Sequence, residues 1–237
     1  MKTKTVLMYV GVIFLSTTLI LSFSPQTSKA LTLELNLNGV FSGYVPQGTS
    51  PWLTATFEDV AAGVQLTLSG LGLTEGEFIQ GNINVGNPTG SQLGWGFNFN
   101  PSKEGSISSL QFNPTGGSNQ AAVWQVAADA FKAAGDGSFD ILFAWDNENP
   151  FESGDTAVYL ISMTGLLAAD FNYLSENGDG LGYGSAAHIQ GISIPEVTEG
   201  GSGWIAGGAP VPEPATMLLV GSGLIGVGVF VRRKFKR

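Results

Sequence analysis

The chain has 237 residues and a formal net charge of −9, with ten basic residues against nineteen acidic ones and no cysteine. Little of the positive charge lies in the middle: residues 31–210 hold eighteen acidic side chains against Lys103 and Lys132, and no arginine. Such a surface repels phosphate backbones and excludes nucleic acid as a partner, because that affinity comes from Lys and Arg releasing counterions. The missing cysteines exclude thiol nucleophiles, thiolate metal sites and attached haem, and leave the fold to an apolar core that a body of this size can bury.

In chain order, Lys2 and Lys4 precede an apolar run over residues 6–21, and Ser28-Lys29-Ala30 puts small residues where a signal peptidase requires them. Residues 1–30 are therefore expected to be a secretory leader, cleaved after Ala30. The body then alternates. In "LTLELNLN" Leu31, Leu33, Leu35 and Leu37 share one face, and "VQLTLSG" repeats this with Val64, Leu66 and Leu68. "LGWGFNF" places Leu93, Trp95, Phe97 and Phe99 together, and "FDILFAW" does so with Phe139, Ile141, Phe143 and Trp145. Period-two patterning marks strands with one buried face. "WLTATF", "SISSLQF", "AVYLISM" and "AAHIQGISI" are further strands, separated by Gly-, Asn-, Asp- and Pro-rich turns.

One stretch departs from this pattern. "NQAAVWQVAADAFKAAG" is alanine-rich, and the spacing of Val123, Val126, Ala127 and Phe131 predicts a short helix ending near Gly135. Short strands with one helix predict a mainly β fold, an antiparallel sandwich of jelly-roll type, over residues 31–205. From Glu199 "EGGSGWIAGGAP" reads as a Gly-rich approach to the tail, with residues 206–210 as the linker.

Candidate chemistry is sparse. His188, the single histidine, cannot build a zinc site without other nitrogen ligands or thiolates, and it reads as a strand residue bonded to a neighbour. No G-x-S-x-G elbow accompanies it. "DNENPFESGD" offers Asp146, Glu148, Glu152 and Asp155 as candidate calcium ligands, although without EF-hand spacing. Smaller acidic groups lie in "ENGDG" and "GDGSFD". Paired carboxylates could hydrolyse glycosides, but so many acids make a chance pair almost inevitable. Of the five tryptophans, Trp95 and Trp145 fall in register with core phenylalanines, whereas Trp204 is the expected exposed one and could stack on a sugar.

The tail, "VPEPATMLLVGSGLIGVGVFVRRKFKR" at residues 211–237, combines three parts. These are Pro212-Glu213-Pro214, an apolar segment over residues 215–231, and the basic cluster Arg232, Arg233, Lys234, Lys236 and Arg237. As a helix the apolar segment spans roughly 25 Å, short of a hydrocarbon core of about 30 Å but able to cross with thinning and snorkelling. The basic cluster then predicts a cytoplasmic C-terminus.

Motif, span and basic stop in this order resemble the PEP-CTERM sorting signal of Gram-negative bacteria. The resemblance implies an exosortase as processing partner, export across the inner membrane as an anchored precursor, and delivery to the surface or to an exopolysaccharide-rich matrix. In the body, "FNFNPS", "DAFKAAGDGSFDILFAW", "AAHIQGI" and "GGSGWIAG" resemble segments of PEP-CTERM proteins of unknown function. The expectation is a non-enzymatic surface or biofilm protein without a cofactor. A calcium- or carbohydrate-binding module is the alternative, and an exported hydrolase the third.

Overall fold

A computed structural model describes residues 30–81, 94–134, 137–175, 182–195 and 197–207. The expected leader and sorting tail lie outside the described residues, apart from Ala30. The body is mainly β and antiparallel, as its alternation requires. β1 (Thr32–Gly43) pairs with β2 (Leu53–Val60), which pairs with β3 (Gly63–Ser69). β4 (Phe78–Ile79), β5 (Trp95–Phe97), β6 (Gln111–Gly117), β7 (Val123–Lys132) and β8 (Ser138–Ala144) follow. β9 (Phe151–Glu152), β10 (Thr156–Ser162), β11 (Ser185–Ile194) and β12 (Val197–Gly207) complete the set.

The expected pair of stacked sheets is instead one continuous sheet, ordered β6-β10-β3-β2-β1-β12-β11-β5-β8-β7, with β4 and β9 attached at β11. It curls into a near-barrel, and β1 makes the corner. Its first half pairs with β2 up to Leu37, and its second half pairs with β12 through two register shifts. Bulges of this kind bend a strand and let it serve two layers. The two end strands then face each other: Phe112 of β6 lies 5.0 Å from Trp124 of β7, centroid to centroid. Beside this seam the Tyr159 hydroxyl accepts the Ala121 N–H at 2.7 Å, and burial pushes its pKa up to about 12.

The inward faces fill the interior with rings. Phe57 stacks on Phe171 at 4.3 Å and meets Phe97 edge-on at 5.5 Å, while Phe143 packs on Tyr159 at 5.0 Å. Leu33, Leu35, Leu37, Val64, Leu66 and Leu68 are buried on the expected faces. β8 is buried along its entire length, on both faces.

Three expectations fail locally. The predicted helix over residues 119–135 is largely β7, because its apolar residues gain more by pairing with the buried β8 than alanine gains in a helix. Trp124 stands opposite Phe143, Val126 opposite Ile141, and a bulge before Phe131 absorbs the intervening residues, with Asp129 at φ 50°. "SISSLQF" is divided: its first part closes a 3-10 helix, Pro101–Ser109, and its end opens β6. A second 3-10 helix, Ala168–Phe171, seals the same end of the barrel. The "EGGSGWIAGG" stretch is not a linker at its start but β12, an interior strand that runs to Gly207, two residues past the expected end of the domain.

Candidate functional site

Polar side chains gather at both ends of the barrel. At the end where β1 starts and β12 finishes, carboxylates tie the two 3-10 helices to the sheet. Asp59, on β2, accepts the Ala168 N–H at 2.7 Å with one oxygen and the Leu31 N–H at 3.3 Å with the other. Asp170 accepts Lys103 Nζ at 2.6 Å and Asn100 Nδ2 at 2.8 Å. Desolvation works against the Asp170 anion, but Lys103, Asn100 and the Leu167 N–H outweigh it and hold the carboxyl below its usual range. Lys103 also donates to the Gly165 carbonyl at 2.9 Å. Beside it an open groove of about 670 Å³ is lined by the polar side chains of Lys103, Ser106, Ser109, Gln111, Ser162 and Thr164.

Asp140, on β8, is 3 % exposed. Its oxygens accept the Phe99 and Asp129 N–H groups, each at 2.7 Å. Burial raises its pKa from 3.8 to about 6, the two N–H donors oppose the rise, and Asp129 and Glu104 add to it. Between about pH 4 and 6 the folded protein therefore holds a proton that the unfolded chain has released. Stability falls as pH rises through that window and stays at the lower level above it. Urea unfolding at pH 4.5 and pH 7 is expected to show this slope in the wild type, with Asp140→Asn flattening it. An unchanged slope in the variant assigns the proton to another group.

At the opposite end, two of the four proposed calcium residues, Asp146 and Asp155, are occupied in holding their own loop. Asp146 caps it by accepting the N–H groups of Glu148 and Asn149 at 3.0 and 2.8 Å. Asp155 accepts Ser118 Oγ, Asn119 Nδ2 and the Glu152 N–H, all at 2.9 Å. The Glu148 and Glu152 side chains are exposed. Among the described residues no three acidic or histidine side chains converge on a metal position. Glu77, 1 % exposed, clamps two neighbouring loops by accepting the N–H groups of Gln47 at 2.5 Å and Thr74 at 3.0 Å.

Trp204 is half-buried rather than open. His188 stacks on it at 4.6 Å with an interplanar angle of 15°, and Phe41 approaches from elsewhere at 6.3 Å. The His188 stack covers one face of the indole. His188 is the expected strand residue: its backbone N–H donates to the Gly94 carbonyl at 3.0 Å, and burial lowers the pKa of its ring. Trp52 is buried with its Nε1 donating to the Gly48 carbonyl at 3.2 Å, and Trp95 and Trp145 are buried as expected. Sequence reading overlooked Asp59, Asp170 and Lys103. The signal for the last two was Lys103 itself, since one of only two cations among eighteen acids in residues 31–210 is placed to form an ion pair.

Beyond β12, residues 210–234 match the family model of the PEP-CTERM protein-sorting motif. The chain carries a PEP-CTERM sorting signal. The match takes in Pro212, Glu213 and Pro214, the apolar segment, and Arg232, Arg233 and Lys234 of the basic cluster. The motif supports export of the chain and implies sorting by an exosortase. No curated protein and no solved structure matches the chain. Among the described residues no helix is long and apolar enough to cross a membrane. The motif, the basic cluster and all but Ala30 of the leader lie outside those residues, so the fold leaves them as read from sequence.

Proposed function

We propose that this PEP-CTERM protein is a non-enzymatic component of the cell surface or extracellular matrix of a Gram-negative bacterium. Its leader is removed after Ala30, and its tail is cut by the exosortase near Pro212-Glu213-Pro214. The observation that carries the reading is the sorting-motif match at residues 210–234. A barrel packed with rings supports a structural body, as do carboxylates engaged with backbone N–H groups. Exopolysaccharide is the matrix partner that fits an acidic, arginine-free body, provided the glycan is neutral. The intact mass of the protein recovered from its host's surface or medium tests the proposal. The expected product begins at Leu31 and has lost Arg232, Arg233, Lys234, Lys236 and Arg237. Replacing Pro212, Glu213 and Pro214 with alanine is expected to restore them. A wild-type product that still ends at Arg237 would overturn the cleavage reading and make the tail a permanent anchor.

The hydroxyl-lined groove beside Lys103 favours a second reading, carbohydrate binding, with the donors and acceptors that sugar hydroxyls require. Titration with the host's exopolysaccharide separates the two, because a purely structural body gives no saturable binding. The same protein titrated with calcium tests Asp146, Glu148, Glu152 and Asp155. A thermal midpoint unmoved by millimolar calcium removes the metal from consideration.

A further inference from the structure

Asp59 reaches the one backbone nitrogen whose chemistry changes when the leader is removed. Its Oδ2 lies 3.3 Å from the Leu31 nitrogen, and its own N–H donates to the Leu31 carbonyl at 3.0 Å. The carboxylate thus grips this residue at the mouth of β1. Ala30, next door, is exposed and shares with Asp59 a groove of about 540 Å³. We propose that removal of the leader creates an internal ion pair, in which the new Leu31 ammonium is captured by Asp59 and locks the end of the barrel. This rests on the reading that cleavage follows Ala30. Hydrolysis of the Ala30–Leu31 amide consumes one water, leaves the carboxylate on Ala30 and the amine on Leu31, and the amine takes up a proton at neutral pH. A neutral amide donor becomes a cation beside the same oxygen, and charge-assisted hydrogen bonds are about twice as strong.

The pair does not end at Asp59. Its other oxygen holds Ala168, the first residue of the short 3-10 helix, whose Phe171 stacks on Phe57 in the core. Asp170 of that helix carries the contact on to Lys103 in the long one. The nearby charges are Glu58 on β2, which is exposed, and Asp170 and Lys103, which engage each other. Among the described residues no cation pairs with Asp59, whose two oxygens both accept from backbone N–H groups.

The test uses the full-length chain expressed with its leader and purified from the envelope in mild detergent. N-terminal sequencing comes first, and a first residue other than Leu31 overturns the cleavage reading and this inference with it. With Leu31 confirmed, selective acetylation of the α-amine keeps one N–H donor but removes the charge. It is expected to lower the folding equilibrium constant roughly three- to tenfold at pH 7. Asp59→Asn lowers it as well, and acetylating that variant adds nothing. A cation stabilised in the fold contributes below its unfolded pKa and is lost as pH rises through its folded one. Untreated wild type therefore loses stability between pH 7 and 10, and that loss is absent from the acetylated protein and from Asp59→Asn. Equal stability and equal pH profiles before and after acetylation overturn the ion pair while leaving the cleavage site standing.

Discussion

Trp95→Ala is expected to remove about 3–5 kcal/mol of stability. Trp95 is fully buried on β5, 5.7 Å from Phe97 and 6.0 Å from Phe151 between ring centroids. Its Nε1 donates to Ser185 Oγ at 2.9 Å, and that hydroxyl donates in turn to the Gly96 carbonyl at 2.8 Å. Alanine would leave a large cavity and take a donor from the hydroxyl. Trp95→Phe restores most of the volume but not the N–H, and a loss nearer 1 kcal/mol is expected. Urea unfolding of both variants measures the difference. A Trp95→Ala loss below about 1 kcal/mol would mean that the indole is outside the core and that the register of β5 with β8 and β11 is wrong.

Gly203→Ala is the second large effect, and it comes from backbone rather than side chain. A Cβ at Gly203 would sit 2.0 Å from the Tyr44 carbonyl oxygen and 3.0 Å from its carbon. No rotamer relieves such a clash, so β1 and β12 must separate locally. A loss of about 3 kcal/mol or more is expected, on the scale of a severe overpacking error. Gly105→Ala is the control, since a Cβ there meets nothing within 4 Å. Comparable losses in the two variants would deny the close approach of β1 and β12.

That glycine explains one misreading of the sequence. "EGGSGWIAGG" has linker composition, but at Gly203 and Gly207 the missing side chain lets two strands meet rather than letting the chain flex. A Cβ at Gly207 would lie 1.8 Å from the Asn36 carbonyl oxygen. Composition cannot separate these uses of glycine, because both depend on an absent Cβ. The helix over residues 119–135 was misread for a related reason: alanine is a good helix former alone, while the strand is favoured by β8, a partner that sequence does not display. Where a segment's own alternation decided its state, as in "LTLELNLN" and "VQLTLSG", the reading held to the residue face. That the strands would join as one sheet turned on the bulges of β1, which carry no signature of their own. At the site, the sorting motif was legible because its three parts are contiguous. Asp59 was not, because its meaning depends on Leu31 and Ala168, far from it along the chain.

β12 has a mechanical consequence. It lies between β1 and β11, hydrogen-bonded on both sides, and residues 208–211 alone separate its last residue from Pro212. On the proposed reading, in which the tail anchors the precursor in a membrane, drag on the body would enter the fold through this strand. Two antiparallel ladders, to β1 and to β11, would then bear that load together, where an edge strand would offer only one.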